Sequence, residues 1–219
     1  MRLLLSFTFL LVFVAAAAAD SGIIQIGSFS ESGLAGWTEK SFKGKTEYRI
    51  VEDGGQKVLQ AKSRNTASGL VFDAEFDPQE YPLLSWRWKI DNVIAKGDSR
   101  IKEGDDYAAR IYIVFSHWFF PKTKTLNYIW ANRMPKDSFQ ISTYTSNDMM
   151  IAVESGSDKV GQWISVRRNI VEDFRRAFGE DPPDVGAIAI MTDTDGTGEA
   201  AMAWYGDILV SRERPFFLH

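Results

Sequence analysis

The sequence predicts a mainly β protein: a single antiparallel β-sandwich of jelly-roll type with one short helix near 170–178. Three observations carry that reading. Short apolar and β-branched runs recur between turn signals. Several runs alternate apolar and polar side chains with a period of two. One segment alone has helical spacing. The 219 residues contain no cysteine, so a buried core and sheet hydrogen bonds must supply stability without disulfides.

The first 19 residues are expected to be a leader rather than part of the fold. Arg2 gives a positive start, 3–14 is apolar apart from Ser6 and Thr8, and Ala15 to Ala19 are small. This is the pattern of a secretory signal peptide cut at Ala17-Ala18-Ala19, ahead of Asp20. The mature domain is then 20–219, periplasmic or secreted. No second apolar run is long enough to span a bilayer. The net charge is −4, one unit more negative without Arg2, and argues against a nucleic-acid partner. No repeat or linker divides the chain.

Along the mature chain, 46–51 and 58–61 flank Glu52-Asp53-Gly54-Gly55, a hairpin turn by composition. Further strands are expected at 69–76, 83–90, 107–116, 125–130, 139–143, 149–154, 162–168, 187–192 and 200–211. The helix starts after Asn169, a capping residue with Glu172 as its reciprocal partner. Ile170, Val171, Phe174, Ala177 and Phe178 form its apolar stripe. Glu172 and Asp173 early, with Arg175 and Arg176 late, suit the helix dipole. Gly179 ends it and Pro182-Pro183 prevents resumption.

Strand parity sorts the polar side chains. In 83–90, Leu84, Trp86, Trp88 and Ile90 share one face, with Ser85, Arg87 and Lys89 on the other. In 107–116, Ala109, Ile111, Ile113 and Phe115 oppose Arg110, Tyr112 and Val114. If these strands are neighbours, Arg87, Lys89, Arg110 and Tyr112 line one polar surface, which Glu154 can join by pairing with an arginine. Asn127, Trp130 and Asn132 cluster at another strand end, where Trp130 either stacks on a sugar ring or fills the core. Arginine, tyrosine and carboxylate on one face suit glycans or anions; a solvated face with cross-strand ion pairs is the plainer reading.

Two acidic segments carry other possibilities. The long loop 91–106 ends in Asp105-Asp106, which can cap the loop, pair with arginines or bind a cation. Asp193, Asp195 and Glu199 surround two glycines and offer oxygen donors of the kind Ca²⁺ takes, although Asp and Gly also make ordinary turns. Asp105, Asp106, Glu154, Asp193, Asp195 and Asp207 are all candidates for paired-carboxylate catalysis, with Asp105, Asp106 and Glu154 put first. The two histidines, His117 and His219, do not supply a zinc site. No nucleophile elbow or phosphate loop is present in the sequence.

Several blocks together resemble a known family. They are Leu84-Ser85-Trp86-Arg87-Trp88-Lys89, Gly104 through Arg110, Leu126 through Asn132, Ala152 through Gly156 and Gly161-Gln162-Trp163. Asn169 through Glu180, Met191 through Glu199 and Tyr205-Gly206-Asp207-Ile208 complete the set. The chain is similar to the bacterial exported family of domain of unknown function 3047, a likeness that brings no activity or catalytic residue with it. Tyr205 through Ile208 also resembles the last strand of galactose-binding-like sandwiches and carbohydrate-binding modules, many of which hold a structural Ca²⁺. The expected function is non-catalytic binding of a glycan or other cell-envelope polymer through Arg87, Arg110, Tyr112, Asn127, Trp130 and Glu154. A carbohydrate-active hydrolase or lyase and an envelope scaffold protein are the alternatives.

Overall fold

A computed structural model describes residues 22–116 and 122–212. Residues 1–19, where a leader is expected, and both histidines lie outside these residues. Among these residues, fourteen strands form two seven-stranded sheets packed face to face, accompanied by one α-helix.

The first sheet is built around β6 (Leu83–Ile90). One edge of β6 takes β11 (Ile164–Asn169). Its other edge takes β13 (Ala200–Tyr205) and then β14 (Ile208–Ser211). The sequence reading had 200–211 as one strand. Gly206 and Asp207 interrupt it, and Gly206 N–H donates to the Arg87 carbonyl at 2.9 Å. Beyond these strands lie β4 (Gln56–Arg64) on β13, β1 (Ile23–Gly27) on β14, and β3 (Glu47–Asp53) on β4. The β3–β4 turn does fall at Gly54-Gly55, both with positive φ, the backbone a two-residue hairpin requires.

The second sheet runs β2 (Trp37–Lys43), β5 (Ala67–Phe76), β12 (Val185–Met191), β7 (Arg110–Phe115), β8 (Lys124–Ala131), β10 (Asp148–Ser155) and β9 (Phe139–Ile141). Its β8–β10 pair is parallel and its other pairs antiparallel. Strands β1 and β2 were not expected, because β2 is an edge strand of mostly exposed polar residues. Residues 107–109 were expected in β7 but belong to the preceding loop.

The core follows the predicted parity. Leu84, Trp86, Trp88 and Ile90 face Ile111, Ile113, Phe115, Leu126, Tyr128 and Trp130 across the sandwich, all buried. Trp86 meets Tyr128 at 5.3 Å between ring centroids and Trp88 meets Trp130 at 6.2 Å. Each fully buried large side chain of this kind contributes about 1.5–3 kcal/mol. Helix α1 (Ile170–Phe178) plugs one end, with Phe174 against Phe115 at 4.5 Å. The Asn169 side chain caps it, accepting from the N–H groups of Val171 and Glu172. Gly179 takes the left-handed conformation that ends it. Asp173 anchors it, accepting from the Tyr128 hydroxyl at 2.8 Å and from Arg168.

Candidate functional site

Because β6 and β7 lie in different sheets, the outward side chains expected on one surface occupy opposite faces of the molecule. Arg87 and Lys89 point out of the first sheet; Arg110 and Tyr112 point out of the second. Only Arg110, Tyr112 and Asn127 are brought together, by the registers Tyr112↔Asn127 and Arg110↔Ile129.

On the outer face of the second sheet, the Arg110 guanidinium lies between the rings of Tyr107 and Tyr112, 5.2 and 5.4 Å from their centroids. It pairs with Asp193 and, at 3.6 Å, with Asp105. The 91–109 loop folds over the neighbouring part of this face. Tyr107 covers Ile129, Met150 and Ala152 there, and Asn132 holds the loop by accepting from Ile94 N–H and donating to the Asp106 carbonyl. Ser99 and Gln140 exchange hydrogen bonds at the β9 edge, and the exposed Tyr144 donates to the Lys102 carbonyl. Val71, Ala187 and Ala189 keep the middle of the face low, with exposed Phe42 and Lys40 toward the β2 edge.

The decisive feature is a set of buried polar atoms without hydrogen-bond partners among the described residues. Asn127 is 1% exposed, and both its amide oxygen and nitrogen are unpaired. Asp148 Oδ1, Asp105 Oδ1, Thr143 Oγ1 and Arg110 Nε share that condition. Leaving a buried polar group unpaired costs about 1–3 kcal/mol and calls for an explanation in a native structure. The indole nitrogens of Trp37, Trp86 and Trp88 share the condition in the core, whereas Asn127, Asp148, Asp105 and Arg110 share it on the outer face of one sheet. Burial, with Asp105 nearby, pushes the Asp148 carboxyl up to about 7 against the pull of Arg110. Asn127 and Ser142 lie close enough to favour its charged form without reaching full hydrogen-bond geometry. Burial likewise raises Asp105, opposed by Arg110. Sequence reasoning missed Asp148 and Gln140, because they join the site through the β8–β10 and β9–β10 pairings, and Tyr144, because it reaches the 91–109 loop from the segment after β9; no local pattern announces these contacts.

The remaining candidates have other roles. Trp130 is a core residue, 0% exposed, and its indole N–H donates to the Gly156 carbonyl. Glu154 pairs with Lys136 and Lys159 instead of an arginine, beside a bulge that follows Ala152. Although burial opposes its charge, Lys159, the Ser155 N–H and Lys136 hold its pKa below the ordinary value. Asp106 accepts from the N–H groups of Gly196 and Thr197, tying the 193–199 loop to the 91–109 loop.

Asp106, Asp193 and Asp195 do bring carboxylate oxygens within 4.8 Å of one another. The Ca²⁺ set expected from the sequence is not assembled, however. Glu199 turns away to accept from Ala95 and Lys96 N–H, Asp193 is held by Arg110, and Asp106 by the loop backbone.

Arg87 belongs to a separate surface on the first sheet. Its guanidinium donates to Gln56 and stacks 4.6 Å from the Trp163 ring centroid. Lys89 lies over Trp204 at 4.4 Å, and Lys89 and the Trp163 indole N–H both donate to Asp53 Oδ2.

A family model described as "Protein of unknown function (DUF3047)" matches residues 35–209. The chain belongs to the DUF3047 family. No curated protein matches it. Among solved structures, this DUF3047 chain is similar to the family 11 carbohydrate-binding module of a cellulosomal cellulase of Clostridium thermocellum. The TM-score is 0.51 at 12% identity, covering 91% of this chain and 100% of that one. It is also similar to a family 30 carbohydrate-binding module of a cellulosomal cellulase of the same organism, at TM-score 0.50 and 14% identity, covering 88% and 99%. At these identities the shared property is the fold, a β-sandwich of the carbohydrate-binding-module type.

Proposed function

We propose that this DUF3047 protein binds a glycan, without catalysis, on the outer face of its second sheet. The observation that carries the reading is the unpaired, buried Asn127 amide between Tyr112 and Asp148. A sugar hydroxyl both donates and accepts, so it complements an amide beside a carboxyl. Tyr112 and the exposed Tyr144 add aromatic surface, and Gln140 a further polar group. The carbohydrate-binding-module fold of the neighbours supports the same reading. With the leader expected at 1–19, the natural ligand is a glycan or related polymer of the cell envelope.

Calorimetric titration with a panel of neutral oligosaccharides tests it. Binding should appear for at least one, and Asn127→Ala or Tyr112→Ala should weaken it about tenfold, the effect of losing one buried hydrogen bond or contact. Flat titrations across the panel, or full affinity in both variants, would remove the proposal.

A second reading, acid–base chemistry on a polysaccharide, has one observation in its favour: the raised Asp148 carboxyl beside Asp105. It requires turnover that Asp148→Asn abolishes. Of the acids first considered for such chemistry, Glu154 is held ionised by its lysines and Asp106 is committed to the loop backbone.

A further inference from the structure

The opposite face of the sandwich carries a second polar site whose charge is of the other sign. A depression of about 730 Å³ opens on the first sheet where β4, β6, β11 and β14 present their outer side chains. Lys57, Arg87 and Arg167 line it, together with the Ser85 and Ser165 hydroxyls. Its lining carboxylate, Asp207, is already occupied, accepting from both the backbone N–H and the hydroxyl of Ser30. Nearby Asp53 is likewise held, by Lys89 and Trp163. Glu52 stands opposite Lys57 in the β3–β4 register. Among the described residues, neither Lys57 nor Arg167 makes an ion pair, so the depression keeps a positive excess.

Arg87 is fixed in place rather than merely present. Gly206 makes room for it: a Cβ there would come within 2.6 Å of Arg87 Cγ and 2.7 Å of its Nε. Trp163 supports one face of the guanidinium and Gln56 accepts one N–H. The rest of the fork makes no other hydrogen bond among the described residues. A preorganised guanidinium flanked by two exposed cations and two hydroxyls is suited to an oxyanion, because Arg engages carboxylate and phosphate in a planar, two-point fashion.

We propose that this depression is a separate binding site for an anionic sugar, held through its carboxylate or phosphate. The site is distinct from the Asn127 face, and its existence does not depend on the reading given for that face.

The test is an NMR titration of the ¹⁵N-labelled mature chain with glucuronate, glucose 6-phosphate and glucose. Glucuronate differs from glucose only in bearing the carboxylate, and glucose 6-phosphate only in bearing the phosphate. The expected result is saturable shifts of the Ser85, Arg87, Ser165 and Arg167 amides with one or both anionic sugars and none with glucose. Which sugar acts identifies the anion. In the Lys57→Ser/Arg167→Ser double variant, both side chains being exposed, the fold should persist and the affinity fall at least about tenfold. Asn127→Ala should leave the titration unchanged, which separates failure here from failure at the other face. Absence of saturable shifts with both anions, equal response to glucose, or an unaltered affinity in the folded double variant would overturn the proposal.

Discussion

Asp148 is the residue whose environment differs most from what its position in the chain suggests. It stands at the start of β10, yet burial and the charge of Asp105 lift its carboxyl from 3.8 to about 7. The folded state therefore holds this proton more tightly than the unfolded chain does. The stability it contributes is full below the ordinary carboxylate range and is lost as pH rises toward about 7. Asp148→Asn cannot ionise, so its melting midpoint should exceed the parent's at about pH 8 and approach it near pH 4. A midpoint difference that does not change with pH would show that the group titrates normally. Arg110 illustrates another case: a buried charge clamped by Asp193 and Asp105 and stacked between two tyrosines, whose outward position on its strand could be read from parity alone.

At the scale of elements, the parts that local patterns encode emerged as expected and the parts that depend on partners did not. The helix is the clearest example, since its cap, stripe and stop all lie within about a dozen residues. Asn169→Ala should cost about 1 kcal/mol through the lost cap, lowering the melting midpoint by about 2–4 °C; an unchanged midpoint would mean the packing of Phe174 alone fixes the helix. The inward faces of β6 and β7 were equally legible, because alternation needs no knowledge of neighbours. Their assignment to different sheets was not legible. Nothing in Trp86-Arg87-Trp88 or Arg110-Ile111-Tyr112 says which strand lies alongside, and sheet order is set by long-range burial and hydrogen bonding. Trp130 was ambiguous for a related reason: an indole reads alike in a core and on a binding platform until the facing sheet is known. The edge strand β2 escaped notice because Thr38 through Lys43 has no buried face to impose alternation.

For the molecule as a whole, the sandwich separates two polar surfaces by a buried core of tryptophans, tyrosines, phenylalanines and aliphatic side chains. One surface presents amide, carboxyl and tyrosine groups; the other presents arginine and lysine. With no shared residue, occupation of one should not displace ligand from the other. A neutral oligosaccharide titrated in the presence of saturating glucose 6-phosphate should therefore show its unperturbed affinity, and direct competition would mean a single site serves both.

The placement of Trp163 and Trp204 makes the two surfaces optically unequal. Both indoles are partly exposed beside Arg87 and Lys89, whereas no tryptophan among the described residues projects from the outer side of the sheet that bears Asn127. An anion settling near Arg87 should therefore alter the emission of Trp163, which stacks on that guanidinium, and give the first-sheet surface an optical readout of its own.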